Sequence, residues 1–497
     1  MKVLFVVWEN DPFFKIGGLG DIARSLPGAL KKIDVDIRVI IPYYKVVKMG
    51  RNKKTKIGEY SFLYAGKKIK VEIWQALNPY AKVIGYFLKN AKYLDKVSLI
   101  ETWAFFDKAV VELIKSGILN WTPDILHVND CHASLIPLLI VQEKLPIKTM
   151  LTIHNLTFQK RTSLSIIQKI GIDPDLCKID RWEIKSKQIN FLQEGIIHAD
   201  IVTTVSPTYA KEILTEEFGC GLHEILREKS GHIYGILNGI DIDWRHTSRI
   251  PAVKFPYGPK EKRVGEEIKY YDWREGKALD KEFLQKKLGL KVGKDIPMFC
   301  FIGRLAGAQK GLDILHRMLR RIDQTKLQFV ILGAGEKEWE ERFRWLSTFY
   351  PKNISCNFKF DDTLAHQIYA ASDFIIIPSK YEPCGLIQMI AMLFGTIPIA
   401  HRTGGLVDSI KEGYNGFLFS NYTSEALEEK VIKATTMWKN EKSMYEAMVD
   451  HAFATDFSWK KNAKEYLKLY KKLLTGSVTK IPETVIDNEV VYPVNIG

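Results

Sequence analysis

The sequence predicts an α/β protein made of two consecutive doubly wound halves. Three observations support this. Short apolar runs rich in β-branched residues alternate with helical periodicities along most of the chain. Glycine-rich turns follow the first strand of each half, at 15–21 and at 303–311. The length of 497 residues exceeds one ordinary core and points to about two or three domains.

Composition narrows the function classes. Hydrophobic content of 46% and charged content of 26% describe a soluble globular chain. A net charge of +14 would suit nucleic acid, but the lysines are scattered (Lys31-Lys32, Lys67-Lys68, Lys286-Lys287, Lys460-Lys461) and no RRM, KH or zinc-finger pattern is present. A solvated lysine-rich surface is expected, with no nucleic-acid partner. The six cysteines form no CxxC pair, so a reducing compartment without structural zinc is expected, and Cys131-His132 reads as ordinary packing. The N-terminal apolar run is too short for a signal peptide, and no run reaches the roughly 20 apolar residues of a membrane helix. The expected location is the cytoplasm, without membrane association.

In the first half, residues 2–7 read as a buried strand. The turn Lys15-Ile16-Gly17-Gly18-Leu19-Gly20-Asp21 and a helix through Leu30 follow. Gly17 and Gly18 would let the main chain approach a ligand, and Asp21 could cap the helix. Alone, this reads first as a capped tight turn with an exposed lysine. It is neither a dinucleotide fingerprint nor a P-loop. Val35–Ile41 is a strand, Lys70–Leu77 and Val83–Leu88 look like an inserted hairpin, and Phe105–Ser116 is a helix. The strand at 125–129 ends at Asp130, and the strand at 149–153 ends at His154-Asn155. A histidine there is commonly a structural hydrogen bonder. Strands over 200–206 and 233–237 follow, the second running into Asn238. Residues 242–292 read as a polar linker with one helix over Lys281–Leu288.

The second half opens with the strand Met298–Ile302. Arg304 and Lys310 then flank a strand-to-helix turn, where a guanidinium fork and a point charge can neutralise a diphosphate; two solvated cations are the alternative. Strands over 328–332 and 355–360 follow, with Phe360 at the end of the second. The strand Phe374–Pro378 leads into Lys380-Tyr381-Glu382-Pro383-Cys384-Gly385 and a helix over 386–393. The strand 396–400 leads into Thr403-Gly404-Gly405 and another helix. These glycines offer backbone N–H groups suited to a phosphate. Glu382 alone could be a solvated loop carboxylate.

Taken in order, these strings resemble a known family. K-x-G-G-L-G-D at 15–21, T-x-H-N-L-x-x-Q at 152–159, G-I-x-N-G-x-D at 235–241, E-P-C-G-L-x-Q at 382–388 and R-T-G-G-L-x-D at 402–408 resemble the signatures of the glycogen and starch synthases, glycosyltransferase family 5. The resemblance spans nearly all of residues 1–475. It implies the GT-B fold, with two Rossmann-like domains facing a deep interdomain cleft. The expected units are an acceptor-side domain over 1–242, a nucleotide-sugar domain over 243–455, a helix over 456–475 crossing back to the first domain, and a tail over 476–497.

The resemblance also implies a hexosyltransferase of glycogen biosynthesis. It would transfer glucose with retention from ADP-glucose, or UDP-glucose, to the nonreducing end of an α-1,4-glucan, without metal or other cofactor. His154, Arg304, Lys310 and Glu382 would be catalytic. Lys15, Gly18, Asp21, Asp130, Asn155, Asn238, Phe360, Cys384, Gly385, Thr403, Gly404 and Gly405 would bind substrate, with Phe360 stacking on the base. Two departures stand out: Asn129-Asp130-Cys131-His132 replaces H-D-W-H, and the Arg304–Lys310 spacer is one residue longer than the common bacterial one. A retaining GT-B transferase with another acceptor would carry E-x7-E, but position 390 is Ile. A non-catalytic glycan-binding relative would have lost Lys15, Arg304, Lys310 or Glu382, and all four are present.

Overall fold

The computed structural model describes residues 1–49, 53–97, 99–177, 188–241, 247, 250–264 and 267–476. The first half contributes strands β1 (Lys2–Val6), β2 (Asp36–Pro42), β3 (Lys54–Tyr64), β4 (Lys67–Leu77), β5 (Ile84–Lys89), β6 (Ile125–Asn129), β7 (Lys148–Ile153), β8 (Arg161–Ser163), β9 (Gln188–Asn190), β10 (Ile201–Thr204) and β11 (Ile233–Gly235). Nine of them form one sheet in the order β11-β10-β7-β6-β1-β2-β5-β4-β3, and β8 pairs with β9 apart from it. From β11 to β5 the pairing is parallel. Helices cover both faces of these strands, which is why residues such as Val3–Val7 read as a continuous apolar run.

The expected hairpin forms from β4 and β5, and with β3 beyond it makes the edge of the main sheet. β4 lies antiparallel between β5 and β3. The strand β3 was overlooked, although Tyr60, Phe62 and Tyr64 alternate inward along it.

The expected linker is also more ordered than its composition suggests. It contains a three-stranded sheet of β12 (Tyr257–Gly258), β13 (Lys262–Val264) and β14 (Glu267–Asp272). Its helix runs over Trp273–Leu288, eight residues longer than expected, and is capped by Asp272 accepting from the Arg274 amide.

The second half has six parallel strands: β15 (Met298–Ile302), β16 (Gln328–Leu332), β17 (Ile354–Asn357), β18 (Phe374–Ile377), β19 (Ile397–His401) and β20 (Phe417–Phe419). Their spatial order is β17-β16-β15-β18-β19-β20. Counted along this half, that is 3-2-1-4-5-6, the doubly wound order of dinucleotide-binding sheets.

The chain crosses between the halves twice, side by side. Ile240 donates its amide to the Phe457 carbonyl and bridges to Ser458. A Cβ on Gly239 would lie 2.8 Å from the Trp459 nitrogen, so only glycine lets the two crossings touch. The helix Trp459–Thr475 then packs on the first half through Trp459, Tyr466, Tyr470 and Leu473. The Tyr470 hydroxyl meets His127 Nδ1 at 2.6 Å, and His127 Nε2 meets Thr152 Oγ1 at 2.6 Å, all buried. The 242/243 boundary and residues 477–497 lie outside the described residues.

Tyr470→Phe leaves a buried ring nitrogen of His127 without its partner. It should cost about 1–3 kcal/mol, measured as a lower urea midpoint at unchanged slope.

Candidate active site

Among the parallel strands of each large sheet the order reverses once, between β1 and β6 and between β15 and β18. Ligands of open α/β sheets bind beyond the strand ends at such points. The loops there carry most of the sequence-derived residues, and the two sets meet. Gly18 faces the Leu386 side chain closely enough that a Cβ would sit 3.6 Å from it. The Ser206 hydroxyl donates to the Pro383 carbonyl at 2.7 Å.

On the first-half side, Glu9 organises the glycine loop. Its buried carboxylate accepts from the amides of Ile16 at 2.5 Å and Gly17 at 2.9 Å. Burial pushes its pKa upward against these bonds. Asp21 does not cap the helix Gly18–Lys31; Gly17 is the cap residue, and Asp21 lies inside the first turn. There it pairs with Lys15 at 2.8 Å. This partly exposed pair contributes little stability, but it holds the ammonium beside the loop.

Asp130 takes a left-handed backbone conformation, φ +53°, and accepts from the amides of His154 at 2.7 Å and Asn155 at 3.4 Å. Burial raises its pKa to about 7 despite those bonds. His154 Nε2 lies 2.9 Å from Asn129 Oδ1. The Asn129 amide nitrogen donates to the Val6 carbonyl, so Oδ1 is the acceptor and His154 carries its proton on Nε2. Burial lowers the His154 pKa to about 3, and the ring is neutral at physiological pH. Asn155 Oδ1 accepts from the Thr157 amide and hydroxyl at 3.1 and 2.8 Å. Cys131, where the family has tryptophan, is buried, while Trp8 stacks on His132 with centroids 4.5 Å apart.

On the second-half side, Lys310 Nζ meets Glu382 Oε2 at 2.6 Å, and the Ser379 hydroxyl donates to the same oxygen at 2.9 Å. Both charged groups are largely buried, so removing either leaves the other uncompensated. Glycines bring this pair together. Gly311 has φ +65°, and a Cβ there would sit 1.9 Å from the Pro378 carbonyl oxygen. The longer spacer forms a single helical turn, Gly307–Lys310, that still delivers the lysine to Glu382. Arg304 lies beside it, with Nη2 3.4 Å from Gln309 Oε1.

Cys384 is buried against Asn238, also buried, and burial pushes its thiol up to about 12. Gly385 has φ +70°. Phe360 lies beyond the end of β17 and is 79% exposed, so it is no part of the core. It rims a recess of about 370 Å³ lined by Arg304, Leu305, Ala306 and Gly335.

The Thr403-Gly404-Gly405 helix start differs from expectation. A Cβ on Gly404 would lie 2.0 Å from the Glu382 carbonyl oxygen, and one on Gly405 would lie 2.3 Å from that of Cys384. These glycines therefore let the helix pack under the Glu382 turn. The Gly404 amide is already taken at 2.8 Å by Glu212 of the first half, which also accepts from the Thr403 hydroxyl at 3.3 Å. A carboxylate occupies the place anticipated for a phosphate.

A starch synthase catalytic domain model matches residues 2–228, and a glycosyl transferases group 1 model matches residues 280–451. The glycogen synthase of Thermosipho melanesiensis is 41% identical, with 96% of this chain and 100% of that protein aligned. The chain belongs to the glycogen and starch synthase family. The Pseudothermotoga lettingae glycogen synthase is 39% identical over 95% of this chain and 99% of its own length. Among solved structures, the catalytic domain of starch synthase IV from Arabidopsis thaliana, bound to ADP and acarbose, superposes with a TM-score of 0.84. It is 29% identical and covers 95% of this chain and 99% of that one. A sucrose-phosphate synthase from Thermosynechococcus elongatus, 18% identical, superposes with a TM-score of 0.59 over 96% of this chain and 99% of its own and shares the fold. The synthase is a hexosyltransferase with the GT-B fold.

Sequence reasoning missed Glu9, Asn129, Glu212 and Ser379. Glu9 and Ser379 had a local signal: each is a polar residue between a buried strand and a ligand-type turn. Glu212 had none, because its partner lies 192 residues away. Among the described residues no group of three His, Cys, Asp or Glu is placed to hold a metal ion, and no helix is long and apolar enough to cross a membrane.

The His154 imidazole should stay neutral on Nδ1, with its proton on Nε2, from pH 8 down to about pH 4. ¹⁵N NMR of histidine-labelled protein checks this; an imidazolium signal appearing near pH 6.5 would contradict it.

Proposed function

We propose that this glycogen/starch synthase transfers glucose, with retention, from a nucleoside diphosphate glucose to the nonreducing end of an α-1,4-glucan, and that ADP-glucose is preferred to UDP-glucose. The observation that carries this reading is the convergence of Arg304, Lys310 and Glu382 at one switch point, against the glycine loop of the other. The ADP bound to the starch synthase IV relative favours the adenine nucleotide.

The departing nucleoside diphosphate is an anion, so its departure requires positive charge and not a proton. Lys310 and Arg304 supply that charge, and Lys15 approaches from across the cleft. Glycine at 18 and 385 keeps side chains away from the donor. A diphosphate on Lys310 replaces its carboxylate partner, which leaves Glu382, still held by Ser379, to bind the glucose ring or offset developing positive charge. Neutral His154, oriented by Asn129 and the Asp130 turn, meets a sugar hydroxyl without adding charge; Asp130, Asn155 and Asn238 complete the sugar side. Exposed Phe360 stacks on the base in the recess beside Arg304. The acceptor attacks on the leaving-group face, and closure of the halves excludes water that would hydrolyse the donor. Six free cysteines suit a reducing cytoplasm.

Nucleoside diphosphate release from ADP-glucose and UDP-glucose, with and without glycogen, tests the reading. Primer-dependent release, faster with ADP-glucose and accompanied by chain elongation, is expected. No release from either donor by folded protein would overturn it. Arg304→Ala should lower kcat/KM by about 10²–10³ with the melting temperature little changed.

A further inference from the structure

Two short helices, one from each half, meet beside the cleft. Pro207–Glu212 follows β10, and Gly404–Ser409 follows β19. Each gives a carboxylate to the other. Glu212, the last residue of the first helix, accepts from the Gly404 amide at 2.8 Å and from the Thr403 hydroxyl at 3.3 Å. Asp408, near the end of the second helix, accepts from the Thr208 amide and hydroxyl, both at 2.8 Å. The pair is therefore held at both ends.

The Glu382 turn lies within this grip. The Ser206 hydroxyl, which accepts from the Tyr209 amide, donates to the Pro383 carbonyl at 2.7 Å. The Gly405 amide donates to the Glu382 carbonyl at 3.0 Å. The main chain of 382–383 is thus tied to the first half directly through Ser206, and indirectly through the helix that Glu212 holds. The Glu382 side chain meets Lys310 and Ser379, both of its own half. The first half acts on where this carboxylate stands, not on the carboxylate itself.

Glu212 is poorly placed for a purely stabilising role. Burial pushes its pKa upward, and nearby Asp408 and Glu217 add to that rise. Its Oε2 is buried with no hydrogen-bond partner. A carboxylate held in this position requires an explanation.

We propose that Glu212 is a positioning residue for glucosyl transfer: by gripping Thr403 and Gly404 across the closed cleft, while Asp408 returns the contact to Thr208, it sets the Glu382 turn in its transfer geometry. The inference rests on the synthase reading above. Arg304, Lys310 and Phe360 all belong to the second half, so the donor can bind there before closure. Closure brings Glu212 onto Gly404, and the turn then reaches its place as water is excluded.

Steady-state kinetics of primer-dependent transfer from ADP-glucose, beside small-angle X-ray scattering with ADP bound, tests this. Glu212→Ala should lower kcat about tenfold and leave KM for ADP-glucose within about twofold, because the competent fraction falls while the donor contacts stay. Asp408→Ala should show the same split. Glu212→Gln keeps an acceptor oxygen for the Gly404 amide and should recover most of the loss. Both alanine variants should have a larger ADP-bound radius of gyration than wild type. If one alanine variant does not fold, the other carries the same test. Unchanged kcat, a loss confined to KM, a glutamine variant as poor as the alanine one, or wild-type compaction in the alanine variants would overturn the proposal. Scattering needs no turnover: a wild-type protein without transfer would sink the synthase reading, and compaction would still decide whether Glu212 holds the halves together.

Discussion

The contact between Lys310 and Glu382 concentrates the constraints on this fold. The two residues stand on loops that follow the first and fourth strands of a doubly wound sheet, 72 positions apart in sequence, with 2.6 Å between charged atoms. That approach requires Gly311 to lie against the Pro378 carbonyl and Gly404 and Gly405 to lie beneath Glu382 and Cys384. A side chain at any of the three would push the loops apart. The glycines thus let backbone pack on backbone, so that a lysine and a glutamate can share the end of the β15–β18 crevice.

The two halves are joined in a way that fits a cleft that opens and closes. The covalent crossings lie together at Ile240 and Phe457–Ser458, so a rotation there need strain only one place. Near the cleft Val205 and Leu386 pack apolar surface between the halves, and three sets of polar contacts join them: Ser206 to Pro383, Thr208 to Asp408, and Glu212 to Gly404. Water can replace each at small net cost. The returning helix is different. Trp459, Tyr466 and Tyr470 are buried in the first half, which makes this helix part of that half's core and not of the moving interface.

Much of this was legible in sequence because it is local. A buried strand followed by Lys-x-Gly-Gly-Leu-Gly-Asp, or by Glu-Pro-Cys-Gly, contains both the element and the reason for its turn. The spacer between Arg304 and Lys310 could be counted, though only the structure shows it absorbed in one helical turn. The failures were of two kinds. Some signals were present and unused: the inward alternation of Tyr60, Phe62 and Tyr64, and Asp272 with Glu275 at the start of the long helix. Others depended on tertiary partners. Asp21 looked like a helix cap until Lys15 claimed it, and the Gly404 amide looked open until Glu212 filled it. A carboxylate that crosses between halves leaves no local mark.

The account rests on Lys310 and Glu382 acting as a coupled unit, in which the donor takes the lysine from the carboxylate. A double-mutant cycle with Lys310→Met, Glu382→Gln and the combined variant, read as kcat/KM for primer-dependent glucosyl transfer from ADP-glucose, measures that coupling directly. The account predicts strong non-additivity, with the double variant little worse than the poorer single one and a coupling energy of about 2 kcal/mol or more. Additive losses would show that the two residues act independently and would contradict it.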